Sequence, residues 1–475
     1  MLCNFMMKAR SMRAALCGVV LATILAGAGA AQTPLPADTV EQIDRAVADV
    51  LHQTGAPSAS IAIVQGSRLV YAQAYGQARL EPPLRATPDM RYSIGSVSKQ
   101  FTAAAMLLLA EERKLSLNDH VGKWLPTLTR ANEVTIRQLL SMTSGYQDFW
   151  PQDYVMPGMM KETTAQGILD GWARKPLDFD PGTRWQYSNT NYVIAGMIVE
   201  RVAGQPLLAF LRERVFTPLG MRSVVNTDEA ALGDADPMRY MRYALAPPRP
   251  APKEGRGWMF AAGELAMTAS DLAAWDISMI KRSVLRPESY RALETEVLLA
   301  SGAGTGYGLG VNVGTSGGRR RISHTGEVSG FTARNDVYPD DGAAIAVLTN
   351  LDATGASSDI ASRIATTIFT SSGDDSAPAV RQARAIFEGL QQGRVDRAQF
   401  TDNLNAYFSP EALRDFQSSL APLGNPDSFT ESGRSLRGGM VFRRFTIAFP
   451  MKTLVLTTFT MPDGKLEQYL VAASE

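Results

Sequence analysis

The chain has 475 residues, 45% hydrophobic and 20% charged, values that exclude a disordered chain and leave room for two or three structural units, each with its own core. Lysine plus arginine and aspartate plus glutamate balance at 47 each, and the one tight basic run is Arg319-Arg320-Arg321, so nothing resembles the footprint of a nucleic-acid binder. The two cysteines, Cys3 and Cys17, fall within the first 30 residues, and a chain lacking that segment has no disulfide to rely on.

Residues 1–30 carry Lys8, Arg10 and Arg13 ahead of an apolar run, Ala14 to Ala28, that closes on Ala28-Gly29-Ala30. This is the pattern of a cleaved signal peptide, about half as long as a membrane span needs. The expectation is a periplasmic or secreted protein with no stable membrane anchor after cleavage.

Helical spacing from Val40 to His52 predicts an opening helix, and Ser58–Val64 and Leu69–Tyr75 predict two strands joined through Gln65-Gly66-Ser67-Arg68. A long helix is predicted from about Ser96 to Lys114. From Leu115 to about 255 frequent Pro and Gly and short amphipathic stretches suggest a mostly helical insertion. Strands are predicted at Tyr307–Val313, Arg320–Ser323, Thr332–Tyr338 and Ala343–Asn350, then a helix at Asp359–Phe369. The small polar residues from Thr370 to Pro378 read as a linker, taken as 373–378. Beyond it, helices are predicted at Val380–Gln391 and Asp396–Tyr407 and strands at Met440–Ala448, Lys452–Met461 and Leu466–Val471. The expected domains are therefore 38–372 and a small α+β unit at 379–475.

Ser-x-x-Lys occurs twice, at Ser96/Lys99 and Ser278/Lys281, and context separates the two. Ser278 falls inside a helical pattern, where a serine turns outward or bonds back to the preceding turn. Ser96 follows Ile94-Gly95 at a helix start, where the first N–H groups face a developing anion. Lys99 lies one turn on, on the same face. Activating a serine this way needs a lysine pKa lowered from about 10.4 to about 7, a change of roughly 4.6 kcal/mol. A helix N-terminus supplies about 0.3–1 kcal/mol, so burial and a titrating partner must supply the rest. Of the 14 tyrosines, only Tyr187 begins a Tyr-x-Asn, in Tyr187-Ser188-Asn189. A phenol beside Lys99 forms a proton-sharing pair, either member of which can deprotonate Ser96. His324-Thr325-Gly326 is the one Lys/His-Thr-Gly sequence. Gly326 would admit substrate backbone, and the Glu327 amide would complete an oxyanion hole with that of Ser96.

Gly314-Thr315-Ser316-Gly317-Gly318 matches Gly-x-Ser-x-Gly, but a strand rather than a helix follows it, so it reads as a hairpin turn. The three histidines, at 52, 120 and 324, form no metal-ligand spacing. No metal or other cofactor is expected.

Ser96-x-x-Lys99, Tyr187-x-Asn189 and His324-Thr325-Gly326, in that order, resemble the serine β-lactamase and DD-peptidase superfamily, class C-like branch. The flanking text from Asp89 to Ala103, Gln138-Leu139-Leu140-Ser141-Met142-Thr143-Ser144-Gly145, Phe179-Asp180-Pro181-Gly182 and His324 to Phe331 agrees over roughly residues 38–370. The resemblance implies an α+β fold, an antiparallel sheet flanked by helices with an all-α insertion, and the site at their junction. It implies Ser96 as nucleophile, Lys99 and Tyr187 as acid/base pair, and Asn189, His324 and Thr325 as substrate-binding residues. His324 stands where dedicated β-lactamases usually carry Lys, so attraction to a substrate carboxylate is expected to be weaker and pH-dependent. Met142 replaces a histidine common in related sequences. Residues 379–475 resemble small NTF2-like cone folds, with a packing or lid role. The expected activity is acyl-enzyme hydrolysis of a D-Ala-D-Ala-type peptide, a β-lactam or a carboxylic ester. A penicillin-binding sensor that acylates without turnover and a scaffold with vestigial residues are the other readings. Partners would be small-molecule or peptide substrates such as peptidoglycan stem peptides, and oligomeric state is left open.

Overall fold

The computed structural model describes residues 35–473 apart from 153, 372–376 and 438–439. The expected signal peptide and the first four linker residues lie outside the described residues.

Helix α1 (Ala37–Thr54) is followed by strands β1 (Ser58–Gln65) and β2 (Arg68–Arg79). Gly66 and Ser67 join them at φ 55° and 58°, a primed turn that suits the twist of a hairpin. A seven-stranded antiparallel sheet runs in the order β3 (Leu84–Arg85), β2, β1, β7 (Ala343–Thr349), β6 (Phe331–Tyr338), β5 (Arg319–Val328), β4 (Asn312–Ser316). Pairing of β1 with β7, register Ile61↔Val347, brings together segments nearly 290 residues apart.

The central strands are buried on both faces. Alternate residues of β1 and β7 divide between two cores: Ala62, Val64, Ala346 and Leu348 face one side, and Ile61, Ile63, Ile345 and Val347 the other. That is why these strands read as continuous apolar runs. The second face is covered by α1 and a helix at Ala356–Ser371. The first face carries helices α2 (Lys99–Glu111), α3 (Asn189–Ala203) and α4 (Ala269–Lys281). Helix α2 is apolar nearly all round and buried from Lys99 to Leu109, as a helix enclosed by others must be. Phe101 meets Phe216 and Trp275 at ring separations of 5.3 and 4.9 Å.

The predicted helix at Ser96–Lys114 is divided. Gly95–Ser98 form a 3₁₀ turn and the α-helix begins at Lys99. The Gly-x-Ser-x-Gly segment is the β4–β5 hairpin, turning at Gly317 and Gly318 with φ 56° and 77°. Among the described residues between 115 and 255, α3 is the one helix of more than ten residues; short helices, two-residue strands and irregular segments make up the rest.

In the tail, a helix spans Ala377–Gln391, so the last two expected linker residues are helical. The predicted helix 396–407 is a 3₁₀ turn, Arg397–Gln399, and a short helix, Asp402–Tyr407. A helix at Pro410–Leu420 and a strand at Ser428–Arg437 complete three helices and a four-stranded antiparallel meander with Met440–Phe449, Lys452–Thr460 and Leu466–Ala473. Phe387, Phe408, Phe445, Leu456 and Tyr469 form its separate core.

Candidate active site

The nucleophile turn is held in place by close backbone contact. Gly95 sits at φ +49°, and a Cβ there would come within 2.7 Å of the Glu327 amide nitrogen. A Cβ on Gly326 would lie 1.9 Å from the Ile94 carbonyl oxygen and 3.2 Å from the Ser96 nitrogen. Gly326 thus admits the protein's own turn, where the sequence suggested substrate backbone, and this brings the amides of Ser96 and Glu327 to one place. Strand β5 pairs with β4 only as far as Ser323↔Asn312, so residues 324–328 present an edge toward that turn.

Lys99 is fully buried. Its Nζ lies 2.8 Å from each of three oxygens: Ser96 Oγ, Asn189 Oδ1 and the Ala262 carbonyl. Burial pulls the ammonium down from its ordinary range to about 7, against the opposing charge of Asp148. The amide and carbonyl oxygens can only accept, whereas the hydroxyl can donate. A neutral Lys99 therefore gives its two protons to Asn189 and Ala262 and turns its lone pair to the Ser96 hydroxyl.

Tyr187 shares a hydrogen bond with Ser96, and burial raises its phenol well above the ordinary range. Lys99 Nζ stands 5.0 Å from the centre of the Tyr187 ring and 5.5 Å from that of Tyr192. Near neutral pH Lys99 therefore stands between ammonium and amine beside an intact phenol, so of the two groups the amine is the one with a lone pair to offer Ser96.

His324 departs from expectation. Its Nε2 lies 2.9 Å from the Tyr307 hydroxyl and its Nδ1 2.5 Å from the Thr325 carbonyl. The carbonyl can only accept, so Nδ1 carries the proton and Nε2 accepts from the phenol. Burial and nearby Lys99 hold the ring down at about 3. A cationic clamp for a carboxylate, expected to weaken through pH 6–7, is not available from this ring. The Thr325 and Glu327 side chains are exposed at the cleft, and Glu327 Oε1 accepts from the Ala353 amide at 2.8 Å.

Asn189 opens α3, and Asp148 grips it: Asp148 Oδ1 accepts from the Asn189 backbone N–H at 2.8 Å and Oδ2 from its Nδ2 at 3.3 Å. Asp148 belongs to no spacing motif, and Ala262 acts through a backbone carbonyl that any residue has, so neither was visible in the sequence. Met142 Sδ accepts from the Ser188 N–H at 3.4 Å, supporting the Tyr187 segment from behind. Ser278 lies buried in α4, its hydroxyl donating to the Trp275 carbonyl at 2.7 Å, while Lys281 is exposed.

These groups open on a cleft of about 510 Å³. Trp150, Tyr154, Trp185, Trp258 and Tyr307 supply much of its wall, and Trp258 is braced by Trp172 and Phe149 at 5.9 Å each. Among the described residues the lining holds three carboxylates, Asp148, Glu327 and Asp352, and no lysine or arginine. No group of His, Cys, Asp and Glu suited to a metal occurs among the described residues.

The family model for β-lactamases matches residues 43–367. The chain belongs to the β-lactamase family. Within this family it is 29% identical over 332 residues to protein flp of Staphylococcus aureus, covering 67% of this chain and 65% of that protein. It is 28% identical to a D-aminopeptidase of Brucella anthropi, over 65% of this chain and 58% of that one. The chain thus spans less than two thirds of these curated relatives. Among solved structures, a D-stereospecific amidohydrolase from Streptomyces sp. is 27% identical with TM-score 0.59, over 67% of this chain and 96% of that chain. An octameric penicillin-binding protein homologue from Pyrococcus abyssi shares the fold at 21% identity, TM-score 0.62, over 92% of this chain and 96% of its own.

Proposed function

We propose that this member of the β-lactamase family is an exported serine hydrolase that cleaves amides or esters through an acyl-enzyme on Ser96. The observation that carries the reading is the hydrogen-bond set of Lys99, whose other two partners can only accept and so leave its lone pair for the Ser96 proton. Ser96 Oγ attacks the carbonyl as its proton passes to Lys99, and the oxyanion forms beside the Ser96 and Glu327 amides. The leaving group takes a proton through the Tyr187 phenol, which Lys99 replenishes. Water then resolves the ester by the reverse transfers. Export rests on the basic-then-apolar pattern of residues 1–30.

The cleft supports a neutral or cationic acyl donor. A β-lactam or a D-Ala-D-Ala terminus brings a carboxylate to a lining with three acidic side chains and a neutral His324. An amino-acid amide or ester brings an ammonium, which the aromatic and acidic wall favours. The relatives named for D-aminopeptidase and D-stereospecific amidohydrolase activity support amide cleavage beside a D-residue. Turnover of one aminoacyl p-nitroanilide, compared with its N-acetyl and N-succinyl forms, tests this. The expected order of kcat/KM is free amine, then acetyl, then succinyl, with about tenfold or more between the extremes. A succinyl form that is turned over fastest would contradict it. A stable adduct with every donor would assign a sensor instead.

A further inference from the structure

From its two-point grip on Asn189 and its place at the cleft wall, we infer that Asp148 is a positioning residue of this site: it fixes the amide that Lys99 donates to and places a carboxylate beside that lysine. The inference rests on Ser96–Lys99 chemistry as proposed above.

The geometry is specific to a carboxylate. Asp148 Oδ1 accepts from the backbone N–H groups of Asn189, at 2.8 Å, and Trp150, at 3.2 Å. Oδ2 accepts from Asn189 Nδ2 at 3.3 Å. An Asn side chain turns its amide oxygen wherever the nitrogen does not go. Holding Nδ2 on Asp148 therefore aims Oδ1 at Lys99 Nζ, 2.8 Å away. With the amide reversed, two N–H donors would face a lysine that needs an acceptor there. Lys99 would then have to give that proton elsewhere, and its lone pair would leave Ser96.

Charge adds a second effect. The groups that face Lys99 are Ser96, Asn189 and the Ala262 carbonyl by hydrogen bond, the rings of Tyr187 and Tyr192, His324, and Asp148. Of these Asp148 alone is a carboxylate, and its charge favours the ammonium while burial opposes it. Removing that charge leaves burial unopposed, so the Lys99 pKa falls. Asp148 is itself partly desolvated, which raises its carboxyl above the usual range, with Lys99, the Asn189 and Trp150 N–H groups and the Asn189 amide holding it down.

The test is kcat/KM for p-nitrophenyl acetate, a neutral substrate, from pH 5 to 9 in the full-length protein, with melting curves on each variant. In Asp148→Asn the acid limb should move down by about one unit, and kcat at its plateau should fall by about 10- to 100-fold as the Asn189 amide loses its orientation. Asp148→Glu, which keeps the charge and displaces it, should lower kcat but leave the limb where the wild type has it. A limb that stays put in a folded Asp148→Asn overturns the inference, and so does failure of both variants to fold, which would make Asp148 a structural residue. If the wild type turns over no ester or amide, the hydrolase reading fails first and takes this inference with it. If the wild type is active and only the shift is missing, the role of Asp148 alone is lost.

Discussion

At the level of single residues, the site works by subtraction. Lys99 is suited to be a base by its burial: its three oxygen partners would satisfy an ammonium, but desolvation brings the amine form within reach near neutral pH, and that form has a lone pair for the one partner that can donate, Ser96. His324 is likewise defined by what it has spent, one nitrogen on a carbonyl and the other on a phenol. The residues that the fold gathers at this cleft were legible in the sequence, since Ser96, Lys99, Tyr187, Asn189 and His324 stand in spaced motifs. Asp148 and the Ala262 carbonyl were not, because one lies outside any motif and the other is main chain. The tautomer of His324 was also out of reach, for it is set by the backbone carbonyl of Thr325, a contact made only in the folded chain. Gly326 gives a direct test. A Cβ there would lie 1.9 Å from the Ile94 carbonyl oxygen, so an alanine would need the turn to retreat by more than 1 Å. Gly326→Ala should therefore cost about 100-fold or more in kcat/KM with the fold retained, as checked by circular dichroism. A fully active Gly326→Ala would mean the amides of Ser96 and Glu327 need not be held together.

Among the elements, the segment 254–264 links the wall of the cleft to its interior. Ala262 offers its carbonyl to Lys99 and Thr102 Oγ1 donates to Ala261. Two residues on, Glu264 is buried, and desolvation together with nearby Asp228 pushes its carboxyl up to about 8. Its Oε2 accepts from Asn226 Nδ2 at 2.9 Å, a bond that a glutamine oxygen can also accept. A carboxyl whose folded pKa lies above the unfolded value of about 4.5 contributes stability in full below that value and loses it as pH rises through about 8. Glu264→Gln should thus gain in Tm relative to the wild type between pH 5 and 8.5, read by scanning fluorimetry. Parallel curves would show that Glu264 carries no such proton. Element boundaries were the less legible part of the sequence. The helix predicted from Ser96 begins three residues later, because the positive φ of Gly95 and the press of Glu327 make Gly95–Ser98 a 3₁₀ turn. In the tail, the strand Ser428–Arg437 escaped notice because its polar, charged sequence suits the edge of a sheet.

For the whole molecule, the two-core division of the sheet explains how one short turn can be so well fixed. Strands β1 and β7 are each buried on both faces, under different helices on either side, and the strand carrying His324 to Glu327 hangs from that centre through β6. The order of strands was hidden from the sequence, since pairing β1 with β7 is a contact across nearly the whole domain. The fold class was legible, because the three motifs arrive in one order with one set of flanking segments. The central claim, that Ser96 and not Ser278 takes the acyl group with Lys99 as base, has one direct measurement. Intact-mass spectra and peptide mapping after brief mixing with p-nitrophenyl acetate at pH 8 should find one acetyl group on the peptide containing Ser96. It should be absent in Ser96→Ala and kept in Ser278→Ala. An adduct that survives Ser96→Ala at the same rate would contradict the account.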